Sequence, residues 1–181
     1  MISDIGEHAA SQAAAPALAD TMRRFYAEID AAIADRAPVC TNRGLCCNFG
    51  AYGHDLFVTT IELAYFIAGH GDAWRSPPAN EKRCPYQIDG VCTAREHRPM
   101  GCRLFFCDAS STAWQHAEYE KRIAELRDLG AAMGVEYRYA EWLSALTSTP
   151  ASSIRPIPGP ADSGASPEFV DRQSLPVIES E

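Results

Sequence analysis

The stretch that decides the fold runs from Cys40 to Cys107 and contains all seven cysteines of the 181-residue chain. It reads Cys40-Thr-Asn-Arg-Gly-Leu-Cys46-Cys47, then Cys84-Pro-Tyr-Gln-Ile-Asp-Gly-Val-Cys92, then Arg98-Pro-Met-Gly-Cys102-Arg-Leu-Phe-Phe-Cys107. Thiols gathered so densely are typical of a metal site, because thiolates are soft, negatively charged ligands. The candidate metal ligands are therefore Cys40, Cys46, Cys47, Cys84, Cys92, Cys102 and Cys107.

The cysteine spacing indicates a metal site without naming the metal. Neither the paired Cys-x2-Cys knuckles of a zinc ribbon nor the cysteine run of bacterial ferredoxins is present. Core packing and a disulfide framework stay open as roles for these cysteines, because scattered cysteines are often buried and oxidised pairs can staple a fold. The density of the seven cysteines argues against core packing, while their odd number and the adjacent Cys46-Cys47 pair argue against disulfides.

Basic residues accompany the second half of this stretch. Between Arg75 and Cys107, six lysines and arginines stand against three carboxylates, in a chain whose net charge is -8. A thiolate-bound metal centre is anionic, so nearby guanidinium groups would offset its charge and donate hydrogen bonds to sulfur. We expect Arg98 and Arg103 to have this role.

Histidines are further candidate ligands, since imidazole commonly binds zinc and iron. His97 lies within the cysteine stretch, and His54 and His70 are the other candidates, although a lone histidine is more often a surface or core residue. Trp114, Trp142 and the tyrosines are expected in the core. No catalytic triad, phosphate-binding glycine loop or dinucleotide fingerprint is evident, so the sequence assigns no reaction and leaves open whether the protein is an enzyme.

Helical patterns flank the cysteines. Apolar residues recur every three or four positions from Pro16 to Arg36, which predicts a helix that stops before Pro38. A second helix is predicted to begin with a capping box at Thr59, and a third to run from about Ser111 to Met133. The predicted fold is mainly α, with about three main helices clamping an irregular cysteine-rich, metal-binding lobe.

The predicted domain covers residues 16–146, with its core motif at 38–110. Within that motif, the Asp89-Gly90 dipeptide predicts a tight turn between Cys84 and Cys92. Residues 1–15 lack apolar periodicity and are expected to be a disordered N-terminus. Residues 147–181 contain six of the twelve prolines and are expected to be a disordered Pro/Ser-rich tail.

Charge and hydropathy narrow the function classes. A net charge of -8 disfavours a general nucleic-acid binder, which normally has a basic surface. No secretory signal and no apolar run long enough to cross a bilayer is evident. We therefore expect a cytoplasmic protein without a nucleic-acid or membrane partner, whose thiols stay reduced.

The combined motif resembles the YkgJ-like cysteine-cluster family, described as a zinc- or iron-chelating domain. The family pattern opens with Cys-x2-Cys-Gly-x-Cys-Cys, continues with a cysteine pair around a turn and closes with Arg-Pro-x-x-Cys-Arg and one more cysteine. The matching positions in this chain are Cys40, Gly44, Cys46, Cys47, Cys84, Cys92, Arg98, Pro99, Cys102, Arg103 and Cys107. A related cluster in flagellin lysine methylases is taken to hold an iron-sulfur centre. The chain departs from the pattern at Arg43, which stands where the family has its second cysteine.

The resemblance implies a metal-binding protein whose biochemical role is unassigned. An iron-sulfur cluster is the preferred cofactor and Zn²⁺ the alternative. A structural zinc ion would make the protein an interaction module for an unidentified protein partner, whereas a cluster is compatible with a redox or methyltransferase-associated enzyme component. Metal storage or delivery is a third possibility. At Arg43, an aspartate, a histidine or water would replace the missing thiol, or fewer thiols would hold the metal.

Overall fold

The computed structural model describes residues 5–39 and 44–150, and this part of the chain is mainly α-helical. Its helices are α1 (Ile5–Gln12), α2 (Leu18–Arg36), α3 (Phe49–Tyr52), α4 (Thr60–His70), α5 (Met100–Leu104), α6 (Thr112–Ala132) and α7 (Trp142–Ser148). Its strands are β1 (Phe57–Thr59), β2 (Gln87–Ile88), β3 (Val91–Cys92) and β4 (Tyr139–Glu141). Short 3-10 turns occur at Leu45–Cys47, Gly71–Ala73 and Ala109–Ser111.

Helix α4 lies at the centre of the core, since every residue from Thr60 to Ile67 is buried. Its predicted capping box is confirmed: the Thr59 hydroxyl accepts from the Glu62 amide, and the Glu62 carboxylate accepts from the Thr59 amide at 2.9 Å. Helices α1 and α2 pack against α4. Trp142 from α7 packs edge-to-face on Phe66, with ring centroids 4.8 Å apart. Because α4 is apolar on all sides, helices and strands can cover it from several directions.

Two small antiparallel sheets complete the described structure. Strand β1 pairs with β4, with Phe57 opposite Glu141, and so joins the start of α4 to the start of α7. Strands β2 and β3 form the hairpin that the Asp89-Gly90 dipeptide predicts. Both turn residues have a positive φ, 50° at Asp89 and 79° at Gly90, as a tight hairpin turn requires.

The two long helices fall close to their predicted limits, and a short helix adds to their packing. Helix α2 ends with Ala37 in the left-handed region, at φ 48°, directly before Pro38. Helices α2 and α6 both pack against α5 and α4. An ion pair of 2.9 Å between Glu28 and the buried Arg122 links them directly. Helix α5, which the prediction of about three main helices did not include, therefore contributes to the packing of both long helices.

The chain ends differ from the sequence-based expectation. The prediction of a disordered segment over residues 1–15 is wrong for residues 5–12, which form α1 and bury Ile5 and Ala9 against α4 and α7. The predicted tail begins too early, because α7 continues to Ser148. Residues 1–4 and 151–181 lie outside the described part of the chain. Over the described helices, none combines the length and apolar character needed to span a membrane.

Candidate metal centre

Six cysteines line one cavity of about 450 Å³, which we call the sulfur cavity. They are Cys46, Cys47, Cys84, Cys92, Cys102 and Cys107. The fold thus brings together the three cysteine segments that the sequence separates, and all six thiols are free. Cys40 and the neighbouring Arg43 lie outside the described residues.

Backbone contacts hold the first two cysteine segments against each other. The Cys84 amide donates to the Cys47 carbonyl at 2.9 Å, and the Gln87 side-chain amide donates to the Gly44 carbonyl at 2.6 Å. Gly44 has φ 66°, and a Cβ atom there would lie 2.4 Å from the carbonyl oxygen of Gly90. A residue without a side chain is therefore needed where the Cys46-Cys47 turn meets the hairpin.

The third segment is anchored by a buried carboxylate. Glu62, which is 2% exposed, accepts from the Met100 amide at 2.8 Å, at the first residue of α5. Tyr26 donates to the same oxygen at 3.4 Å. Burial raises the pKa of Glu62, against the opposing effect of these hydrogen bonds. Glu62 of the capping box therefore also positions α5, the helix that carries Cys102. The local capping pattern in the sequence does not reveal this link.

Three thiols of the cavity wall influence one another. Cys47 interacts with both Cys46 and Cys84, and these interactions lower the pKa of Cys46 to about 6 and that of Cys84 to about 7. The same interactions, followed by burial, raise the pKa of Cys47. Lowered thiol pKa values favour metal binding, because thiolates are the ligands.

The other sulfurs lie in a less polar part of the wall. Burial raises the pKa of Cys92 and, more strongly, that of Cys102. Arg98 opposes this effect at both thiols and also lowers the pKa of Cys46. The charge of Arg98 therefore acts on three of the cysteines, as expected for a cation beside the sulfur cavity.

Arg103 lines the same cavity and has several partners in the fold. Its guanidinium binds both oxygens of Asp30 at 2.8 and 3.0 Å, and it also donates to the carbonyls of Glu96 and Arg98. The same group lies 4.2 Å from the centre of the Tyr26 ring. These contacts tie α5 to α2 and to the loop that carries Arg98, and donation from Arg103 to sulfur stays a prediction.

The candidate histidines do not join the cysteines. His97 packs against Tyr65 and His70, and His70 also packs against Phe66 and Tyr86. Burial, followed by the nearby His97, lowers the pKa of His70 to about 4, so this ring is neutral at pH 7. His54 lies closer to the cavity, with Nε2 3.2 Å from the Cys46 carbonyl oxygen. None of the three lines the sulfur cavity.

Trp142 is a site residue that the sequence reasoning assigned to the core. Its ring is buried, 1% exposed, yet it also lines the sulfur cavity. The indole N–H has no hydrogen-bond partner within normal limits, although it is close enough to lower the pKa of Cys84. A buried, unsatisfied N–H facing thiols fits a site that would hold a sulfur-rich, negatively charged group.

The thiols are gathered but do not form a ready coordination shell. Across residues 5–39 and 44–150, no three His, Cys, Asp or Glu side chains are arranged to hold one metal ion as they stand. Comparisons of this chain with protein-family models, with curated proteins and with solved structures found no match. The chemistry of the cavity wall is consequently the basis for any functional assignment.

Proposed function

We propose that the protein binds a metal centre, preferably an iron-sulfur cluster and otherwise zinc, through thiolates of the cysteines around the sulfur cavity. One observation carries this proposal: all six described cysteines line the same cavity although they come from three separate segments. Packing alone does not require so many thiols in one place. Cys40 is included as a candidate ligand because the same sequence cluster contains it.

Electrostatics supports an anionic centre. Arg95, Arg98 and Arg103 line the cavity together with the cysteines, and Asp30 is the carboxylate in its lining. Arg103 is already paired with Asp30, whereas Arg98 lowers the pKa values of three cavity thiols. A centre built from several thiolates would gain from the charge of Arg98 and from the unsatisfied N–H of Trp142.

Binding would require local rearrangement of the thiols. Ligating cysteines must lose their protons, so the interactions of Cys47 with Cys46 and Cys84 would be replaced by bonds to metal. Short side chains on 3-10 turns and a small hairpin can rotate without disturbing α4 or α6. In this proposal the cysteine-rich segments form a lobe that the helices hold around the metal.

The size of the cavity and the hydrogen-bond donors beside it favour a cluster over a single zinc ion. A structural zinc site uses four ligands, fewer than the six described thiols that share this cavity. An iron-sulfur cluster also uses four cysteine thiolates but adds inorganic sulfide, which needs hydrogen-bond donors and a larger space. When bound, such a cluster would supply electron transfer, while the chain would supply ligands, charge balance and shielding from water.

The test is metal analysis of protein purified without oxygen. Iron and acid-labile sulfide in stoichiometric amounts, with broad visible absorption, are expected. Cys84→Ser and Cys102→Ser should each lose most of the metal while circular dichroism shows that the helices remain. Colourless protein with one tightly held zinc ion would refute the cluster, and protein that retains neither metal after purification and reconstitution would refute the proposal as a whole.

A further inference from the structure

A second cavity adjoins the sulfur cavity and is different in character. It has a volume of about 520 Å³ and is open to solvent. The two cavities share Cys46, Cys102 and Cys107, which therefore form a common wall. The volume of this second cavity is within the range of ordinary small-molecule sites. We call it the aromatic pocket, after the seven phenylalanine and tyrosine side chains in its lining: Phe49, Tyr52, Phe57, Phe105, Phe106, Tyr119 and Tyr139.

Exposed aromatic side chains concentrate at this pocket. Across the described residues, seven large apolar side chains are exposed, and four of these line the pocket: Tyr52, Phe57, Phe105 and Tyr139. Phe57 stacks on Tyr139 with ring centroids 5.2 Å apart, so the two rings form one stacked unit in the pocket wall, the Phe57–Tyr139 platform. Tyr139 is fixed in turn by a hydrogen bond of 2.7 Å with Tyr119. Ordered aromatic faces left open to solvent are typical of ligand sites.

Carboxylates are the only fully charged side chains that line the aromatic pocket within the described residues. Asp55 and Glu120 line it together with the imidazoles of His54 and His116, and neither a lysine nor an arginine does. Lys82 reaches Asp55 only at 3.7 Å and is itself largely exposed, so it screens this carboxylate weakly. The sulfur cavity has the opposite character, with three arginines in its lining. The two adjoining cavities thus favour ligands of opposite charge.

We propose that the aromatic pocket binds a small organic cation, with an ammonium group near Glu120 and Asp55 and an apolar body against the Phe57–Tyr139 platform. Aromatic faces attract cations through their negative quadrupole, and carboxylates at the rim add Coulombic attraction. An organic anion of the same shape would meet these two carboxylates, and neither a lysine nor an arginine of the described residues lines the pocket to bind it. A bound ligand would lie beside Cys46 and Cys102. This inference does not require the proposed metal centre.

The test compares three ligands of nearly equal shape and different charge at pH 7: 2-phenylethylammonium, 2-phenylethanol and phenylacetate. Binding is measured by isothermal titration calorimetry and by ligand-detected NMR on full-length protein as purified, with the metal content of each sample determined. The cation should bind about tenfold more tightly than the alcohol, and the anion more weakly than both. Measurements on samples with and without metal keep this result separate from the metal proposal.

Two carboxylate variants locate the charge effect. Glu120→Gln should reduce the preference for the cation over the alcohol by about threefold or more, because it removes a pocket charge. Asp128→Asn removes one charge from the same helix, outside the pocket lining, and should leave this preference unchanged. Phe57→Ala should weaken the cation and the alcohol together, because it removes half of the stacked platform.

Three results would overturn the inference. They are no binding of any of the three ligands at millimolar concentration, equal binding of cation and alcohol, and equal loss of cation preference in Glu120→Gln and Asp128→Asn. The last result would show that the cation responds to the net charge of the protein and not to this pocket.

Discussion

Replacing Gly44 with alanine tests whether the Cys46-Cys47 turn and the hairpin are packed as described. The new Cβ would lie 2.4 Å from the Gly90 carbonyl oxygen and 2.3 Å from Nε2 of Gln87, and alanine would also have to adopt φ 66°. The left-handed conformation costs about 1 kcal/mol for a non-glycine residue. Displacing the backbone of the hairpin and losing the hydrogen bond from Gln87 add about 1–3 kcal/mol. The expected loss of unfolding free energy is therefore about 2–4 kcal/mol.

Gly53→Ala is the matched control. Gly53 has nearly the same φ, 63°, but no atom lies within 4 Å of the position its Cβ would occupy. This variant should lose only the conformational part, about 1 kcal/mol. Urea unfolding followed by circular dichroism gives both values, with metal content measured on each sample because a bound metal stabilises the folded state. Losses that agree within about 0.5 kcal/mol would refute the close packing of Gly44 on the hairpin.

Three further predictions concern charge and burial. Arg98→Gln should move the alkylation of Cys46 to higher pH, because Arg98 helps to lower the pKa of that thiol; an unchanged pH profile of iodoacetamide labelling would contradict this. Glu62→Ala should cost about 1–3 kcal/mol of unfolding free energy, since it leaves the buried Met100 amide without its acceptor, and a loss below about 0.5 kcal/mol in urea would contradict it. His70 has a depressed pKa of about 4, so its contribution to stability should be lost as the pH falls from about 6.5 towards 4. Over that pH range, the unfolding free energy of His70→Phe should fall by about 1–2 kcal/mol less than that of the wild type. Parallel profiles of unfolding free energy against pH would contradict the depressed pKa of His70.

Local sequence patterns predicted the elements that depend on local chemistry. The capping box at Thr59, the hairpin turn at Asp89-Gly90 and the end of α2 before Pro38 each follow from residues a few positions apart. Such features form because nearby side chains and backbone dihedrals determine them directly. They also correctly indicated a mainly α fold.

Contacts between distant residues were beyond the reach of the same patterns. Helix α1 has little apolar periodicity, and it is ordered because Ile5 and Ala9 bury against α4 and α7. Arg103 pairs with Asp30, which lies 73 residues away along the chain. Tertiary packing decides both cases, and no local signal marks either one.

The candidate site also combines features that local sequence predicts with contacts that only the fold reveals. Cysteine density predicts a metal site, and the structure shows that the three cysteine segments meet at one cavity; the same density could not show that Trp142 enters the cavity wall. The expectation that tyrosines belong to the core holds for Tyr26, Tyr65 and Tyr86 but not for Tyr52 and Tyr139, which are exposed at the aromatic pocket. Aromatic residues at helix and strand ends have the same sequence appearance whether they face the core or a pocket.

X-ray absorption spectroscopy at the edge of the metal retained by anaerobically purified protein tests the central claim most directly. Thiolate ligation predicts a first coordination shell of sulfur at about 2.3 Å, and an iron-sulfur cluster adds a second shell of iron. The sulfur signal should be lost together with the metal in a variant that carries serine at both Cys84 and Cys102. A first shell of only nitrogen and oxygen, or the same sulfur shell in that double variant, would contradict the account.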